Sequence, residues 1–217
     1  MRRSLIAISG LLLTASFALA GEFHYETRQK QTGGLTDHSI ISISREENGN
    51  YTYHFRRGLP DYVQEELHTF NAAHETIDTH VVNAQDGTDY TLKREGHTLI
   101  IKGKLKGRIA DQTIRIGKEP FFSFPKFNLA AFILQRRKQV AFWALRTDTF
   151  KLYKMIAVKT GRKTIQLGGK DANALEIYMT TDNPLFRLFK RYYYFRPSDG
   201  MFLKQEYDDG RVRELAE

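Results

Sequence analysis

The feature that most constrains this chain is a two-residue alternation of apolar and polar side chains, cut at short intervals by glycine-containing turns, that runs through most of its length. Period two puts the apolar groups on one face of an extended ribbon, so it specifies antiparallel strands rather than helices. The clearest case is a hairpin: Ile41 and Ile43 lead into Glu47-Asn48-Gly49-Asn50, after which Tyr51, Tyr53 and Phe55 alternate with Thr52, His54 and Arg56. Asn-Gly accepts the positive φ angles of a tight hairpin turn, which gives the assignment a mechanism. Asp86-Gly87, Glu95-Gly96, Ser198-Asp199-Gly200 and Asp209-Gly210 punctuate in the same way. Strand-like runs cover Tyr90 to Arg94, Leu99 to Leu105, Ile109 to Ile116, Val140 to Leu145, Leu152 to Val158, Leu175 to Thr180 and Tyr192 to Phe195. With the segments before and after them they predict about ten strands in one meander, enough for a strongly curved sheet or a partly closed barrel.

One stretch breaks the pattern. From Ser123 to Lys138 the apolar residues no longer alternate. Pro125 suits a first helical turn, where its missing N–H costs nothing. Arg136, Arg137 and Lys138 would sit at the carboxyl end, where cations complement the helix dipole. A helix here would be apolar around most of its circumference, through Phe127, Leu129, Ala130, Ala131, Phe132, Ile133 and Leu134. The predicted fold is therefore mainly β: a single antiparallel curved sheet or half-barrel with one apolar helix packed on its concave face. One helix of about a dozen residues does not cover so many strands, so the rest of that face must be filled by the sheet's own side chains or by a guest.

That mismatch selects the candidate site. Phe121 and Phe122 before the helix, Phe127 and Phe132 on it, and Trp143, Tyr153 and Tyr193 on later strands would line an apolar pocket. The same rings also fill an ordinary core, and the sequence does not separate the two uses. Arg136, Arg137, Lys138, Lys190 and Arg191 are the candidates for contact with anionic headgroups. Lys102, Lys104 and Lys106 alternate with Ile101, Gly103 and Leu105 and read as a solvated outer face.

Location follows from the first residues. Arg2 and Arg3, the apolar run from Leu5 to Phe17, and Ala18-Leu19-Ala20 read as a secretory leader cut after Ala20. The expected organisation is a signal peptide over 1–20 and one β-rich half-barrel domain over 21–217, soluble in the periplasm after cleavage. The 217 residues carry a formal charge of +8, and the chain stays basic without the two leader arginines. A basic exported protein points to anionic lipid surfaces or simple solubility, not to nucleic acid. The chain contains no cysteine, which excludes disulfides, zinc-thiolate and iron–sulfur sites, thiol nucleophiles and a lipid anchor through cysteine. An outer-membrane barrel is disfavoured by strands such as Leu152 to Val158, apolar on both faces, and by the interrupting helix.

Catalytic signatures are missing: there is no nucleophile elbow, no Ser-x-x-Lys and no dinucleotide fingerprint. Gly168-Gly169-Lys170 lacks the earlier glycine of a phosphate loop and reads as a hairpin turn, while Asp199, Asp208 and Asp209 read as turn formers. No enzyme activity is expected, although a hydrolase assembled from distant strands stays open. Of seven histidines, only His74 and His80, with Asp78, could share a strand face, and their spacing is not that of a helical His-Glu-x-x-His site. No metal and no cofactor are expected.

The carboxyl-terminal run carries a resemblance. Tyr192 to Phe195 enters Asp199-Gly200, Met201 to Tyr207 follows, and Asp209-Gly210 leads to the last strand. This order resembles the final hairpins of an uncharacterised family of exported bacterial proteins, itself similar to the lipoprotein-localisation factor (LolA-like) half-barrels. Where relatives often have Trp before the turn and Leu-Pro after it, this chain has Tyr and Met201-Phe202. The resemblance implies a non-catalytic periplasmic protein that binds or carries a lipid or other apolar ligand between a concave sheet and a helical lid, with peripheral membrane contact, and it transfers no catalytic residue. The competing expectation is a structural or assembly factor of the cell envelope that meets another envelope protein through a sheet edge or basic face.

Overall fold

The computed structural model describes residues 20–59, 62–183 and 190–216. All of the leader expected over 1–20 except Ala20 lies outside these residues.

Among the described residues, fourteen strands form a single antiparallel sheet around one helix. In chain order they are β1 (Gly21–Gln29), β2 (Leu35–Arg45), β3 (Tyr51–Leu59), β4 (Tyr62–Phe70), β5 (Thr76–Asn83), β6 (Thr88–Glu95), β7 (Thr98–Leu105) and β8 (Arg108–Arg115), then helix α1 (Pro125–Leu134). The second half comprises β9 (Gln139–Arg146), β10 (Lys151–Leu167), β11 (Lys170–Thr181), β12 (Arg191–Phe195), β13 (Phe202–Glu206) and β14 (Arg211–Leu215). Apart from β8 and β9, strands consecutive in sequence are neighbours in the sheet, and β1 pairs with β14 to join the two halves. The two free edges are β8 and β9, and α1 lies between them in the chain.

The strand count exceeds the ten expected because β4 and β5 carry polar residues at inward positions. His68, Thr76, Thr79 and Asn83 are buried there, so the apolar half of the alternation is thinned to Phe70 and Val81. Elsewhere the alternation is legible. Ile41 and Ile43 of β2, Tyr51, Tyr53 and Phe55 of β3 and Phe142 of β9 are buried against α1 in one cluster with Phe127, Leu129, Phe132 and Ile133. Burying each of these side chains contributes about 1.5–3 kcal/mol.

A helix apolar on all sides needs cover on all sides, and the curled sheet supplies it. The sheet also overlaps itself. Val81, Tyr90, Leu92, Leu99 and Ile101 of β5–β7 form a second cluster with Phe121, with Trp143 at its margin, and with Phe150 of the β9–β10 turn, whose ring meets Tyr90 edge-on at 4.9 Å. One end of the sheet therefore packs onto the back of the other.

Three contacts seat α1. Asn128, 1% exposed, accepts from the Phe124 N–H at 2.9 Å and donates to the His74 carbonyl at 2.5 Å and Thr76 Oγ1 at 3.2 Å, tying the first turn to the β4–β5 connection. Lys159 of β10 donates to the carbonyls of Ile133 (3.0 Å) and Gln135, which satisfies the carboxyl end. Arg136, Arg137 and Lys138 were expected to do this, but the helix ends at Leu134 and all three lie beyond it, exposed. Finally, the Asp199-Gly200 turn lies against the middle of α1. Gly200 has φ +74°, and a Cβ there would stand 2.7 Å from the Ala130 carbonyl oxygen, so only glycine fits.

Candidate functional site at the sheet seam

The guest space expected between helix and sheet is filled by protein. The cavity there, lined by Tyr25, Ile41, Tyr53, Lys126, Phe127 and Phe202 among others, measures about 20 Å³, room for one water. The reason is the curl: fourteen strands wrapped around ten helical residues bring enough inward rings to meet α1 on every side.

The seven apolar candidates consequently divide. Phe122, Phe127, Phe132 and Tyr193 are buried around the helix, with Phe122 stacked on Phe142 at 4.6 Å. Phe121 and Trp143 belong to the second cluster. Trp143 follows Phe142 directly and so lies on the opposite face of β9, where its indole N–H donates to Glu119 at 3.1 Å. Tyr153 is at the rim, 38% exposed. Of the basic candidates, Lys190 lies over the Tyr178 ring at 4.7 Å and Arg191 is exposed, both on the β11–β12 side of the sheet.

Three candidates do converge, in a place the sequence did not indicate. A cleft of about 390 Å³ opens where the β9 edge passes the carboxyl half of α1 and the β4–β5 connection, and Phe122, Phe132 and Arg137 line it. Its other walls include Ala131 and Gln135 from the helix end, Gln139, Val140 and Ala141 from β9, and Glu75 and Glu119. The Arg137 guanidinium is held by the Gln135 amide oxygen, with Nε at 2.7 Å, and has no carboxylate partner among the described residues. The two acids are occupied: Glu75 by Arg94 at 3.0 Å and Glu119 by Lys154 at 2.6 Å. Lys154, followed by the Glu119 backbone, holds the Glu119 carboxyl below the usual range.

Residues 116–124, which carry the chain from β8 to α1, define the seam. The Trp143 N–H donates to the Pro120 carbonyl at 2.8 Å and the Phe122 N–H to the Trp143 carbonyl at 2.9 Å, a short parallel pairing with β9. The Thr76 N–H donates to the Phe121 carbonyl at 3.1 Å, so the same segment also touches β5. This pairing covers only the Trp143 end of the β9 edge.

A polar layer lies elsewhere inside the sheet. Asp37 forms an ion pair with Arg57 at 2.8 Å and accepts a hydrogen bond from Arg213 at 2.6 Å. Lys126 reaches the same interior over the Phe202 ring, and burial, then Arg213, holds its amine well below the ordinary lysine range. His74 is not on a strand with Asp78 and His80 as the sequence allowed; it occupies the turn before β5 at φ +61° and stacks on Phe127 at 4.7 Å. Burial lowers its pKa to about 4. Among the described residues no group of three His, Asp or Glu side chains is placed to hold a metal ion, and no helix is long and apolar enough to cross a membrane.

These features define a class: a β-barrel-like protein made of one open antiparallel sheet with a central helix and a cleft at the unclosed seam. Its fold is similar to that of a β-barrel-like protein of a domain of unknown function, DUF1849, from Brucella abortus, with a TM-score of 0.56, 14% identity, and coverage of 90% of this chain and 95% of that one. A likeness of this identity concerns the fold alone. The hypothetical lipoprotein YmcC from Escherichia coli (K12) aligns over 92% of this chain and 88% of its own at 9% identity and a TM-score of 0.38, which supports no inference. No family model matches the chain, and no curated protein matches it.

Proposed function

We propose that this is a non-catalytic binding protein of the bacterial cell envelope, and that its ligand is an elongated, partly apolar molecule held in the seam cleft. The observation that carries this reading is the cleft itself: about 390 Å³, within the range of ligand sites, with Phe122 and Phe132 on one wall and the Arg137 cation at one end. Envelope location rests on the leader-like residues 1–20. The lipid-carrier form of the reading, suggested by the carboxyl-terminal hairpins, requires the acyl chain to lie in this cleft, because the space beneath the helix is occupied. Contact with another envelope protein through the sheet edge is the second form, favoured by the uncovered part of β9.

A polarity-sensitive dye tests the site. 1-N-phenylnaphthylamine should gain fluorescence on binding the protein, and Ala131→Trp, which puts an indole into the cleft from the half-buried side of α1, should abolish the gain with the melting temperature retained. Absence of dye binding, or binding indifferent to Ala131→Trp, would contradict the reading.

A further inference from the structure

The hydrogen-bond pattern of β9 says what kind of ligand the cleft is built for. Trp143 spends both its backbone groups on residues 120 and 122, away from β10, so the opposed pair Trp143 and Lys154 is a non-hydrogen-bonded one. The alternation of an antiparallel ladder then assigns the same status to Ala141 opposite Ile156 and Gln139 opposite Val158. The bond from the Lys159 N–H to the Lys138 carbonyl at 2.9 Å agrees, since it falls on the other set. The N–H and C=O groups of Gln139 and Ala141 therefore point away from the sheet, into the cleft, and none has a hydrogen-bond partner among the described residues. An acyl chain laid over them would leave four strong polar groups without water or partner. An extended polypeptide would satisfy all four.

Resting on the reading of the seam cleft as the binding site, we infer that β9 is a strand-addition site for the carboxyl-terminal residues of another polypeptide, added antiparallel so that the terminal carboxylate reaches Arg137. Three features select this occupant. Main-chain pairing with Gln139 and Ala141 supplies affinity without a fixed sequence. Phe122, Phe132 and Val140 beside the edge accept small or β-branched side chains at alternate positions. Direction follows from charge: an antiparallel strand ends at the amino end of β9, where Arg137 lacks a carboxylate and the exposed Arg136 and Lys138 flank it, while both acids of the cleft already have basic partners.

The test uses the full chain without its leader and an amino-terminally labelled peptide, Gly-Val-Thr-Val-Asp, with a free carboxyl terminus. Anisotropy should report saturable binding, about tenfold weaker for the carboxamide form or for Arg137→Glu, the size of one charge-assisted contact. Ala141→Pro removes one edge N–H at a position where an edge strand tolerates proline, and should abolish peptide binding with the melting temperature retained. Peptide binding equal in wild type and Ala141→Pro would overturn the strand-addition site, and equal affinity of acid and amide peptides would overturn its polarity. If the dye binds and the peptide does not, the inference fails and the seam reading stands; if neither binds, both fail.

Discussion

The sheet has two edges, and the chain treats them differently. β8 faces outward with Arg108, Asp111 and Arg115 exposed along it and Ile109 at 86% exposure, the charged, solvated rim with which proteins discourage pairing. β9 is apolar where it is open, with Val140 buried and Ala141 half-buried, and is shielded instead by its recess between α1 and the β4–β5 connection. Among the described residues neither edge has a strand partner beyond the short pairing at Trp143. One is protected by charge and the other only by position, and an edge protected by position remains available to a ligand that fits the recess.

If that contrast is right, the β9 edge depends on the seating of α1 and the β8 edge does not. Gly200→Ala should have the largest effect, about 3 kcal/mol, from a side chain at positive φ that collides with the backbone of Ala130. Thermal denaturation would read the loss, and hydrogen exchange should rise first at Val140 and Phe142, before Leu92, Leu99 and Ile101 of the β8 flank. Asn128→Ala should follow at about 2 kcal/mol, since it strands the Phe124 N–H and the His74 carbonyl in the interior. A loss below about 0.5 kcal/mol would mean that water replaces the amide and that the helix is seated otherwise.

Acid gives the next effect. His74 is neutral in the folded protein, with its pKa lowered by burial to about 4 from 6.5, so the unfolded chain takes up more protons between those values. Its contribution is present above pH 6.5 and is lost as pH falls toward 4, amounting to about 2 kcal/mol between pH 7 and pH 5. Replacing His74 by Asn, which tolerates positive φ, should flatten that part of the stability profile; an unchanged profile would exclude His74 as its source. The smallest effect belongs to the other edge, where Ile109→Lys should move stability by less than about 0.5 kcal/mol and leave peptide binding alone.

The sequence made the frame legible and hid the site, for a physical reason in each case. Gly49, Gly87, Gly96, Gly200 and Gly210 all adopt positive φ in turns that the Asn-Gly, Asp-Gly and Glu-Gly pairs announced, and Pro125 marked the first residue of α1 correctly. β4 and β5 were illegible because most of the groups they bury, His68, Thr76, Thr79 and Asn83, are polar and find partners such as Ser123 at 2.9 Å from His68 Nδ1. Asn128 hid inside an apolar run, and its role as anchor exists only once the β4–β5 turn is folded beside it. The cleft was out of reach for the same reason: Phe122, Phe132, Arg137 and Ala141 become neighbours through the curl of the sheet, and periodicity does not encode curl. Trp143 was read as lining the pocket under the helix, yet adjacent residues of a strand face opposite ways: Phe142 faces the helix, Trp143 faces away, and the overlap of the sheet is what covers the indole.

The central claim is that the edge of β9 is open in the free protein at Gln139 and Ala141 and closed by a strand when ligand binds. Residue-resolved amide hydrogen exchange tests it directly. The account predicts fast exchange at Gln139 and Ala141 beside protected Val140 and Phe142, with both fast amides slowing in the presence of the free-carboxyl peptide. Protection of Gln139 and Ala141 in the unliganded protein, equal to that of Val140 and Phe142, would contradict it.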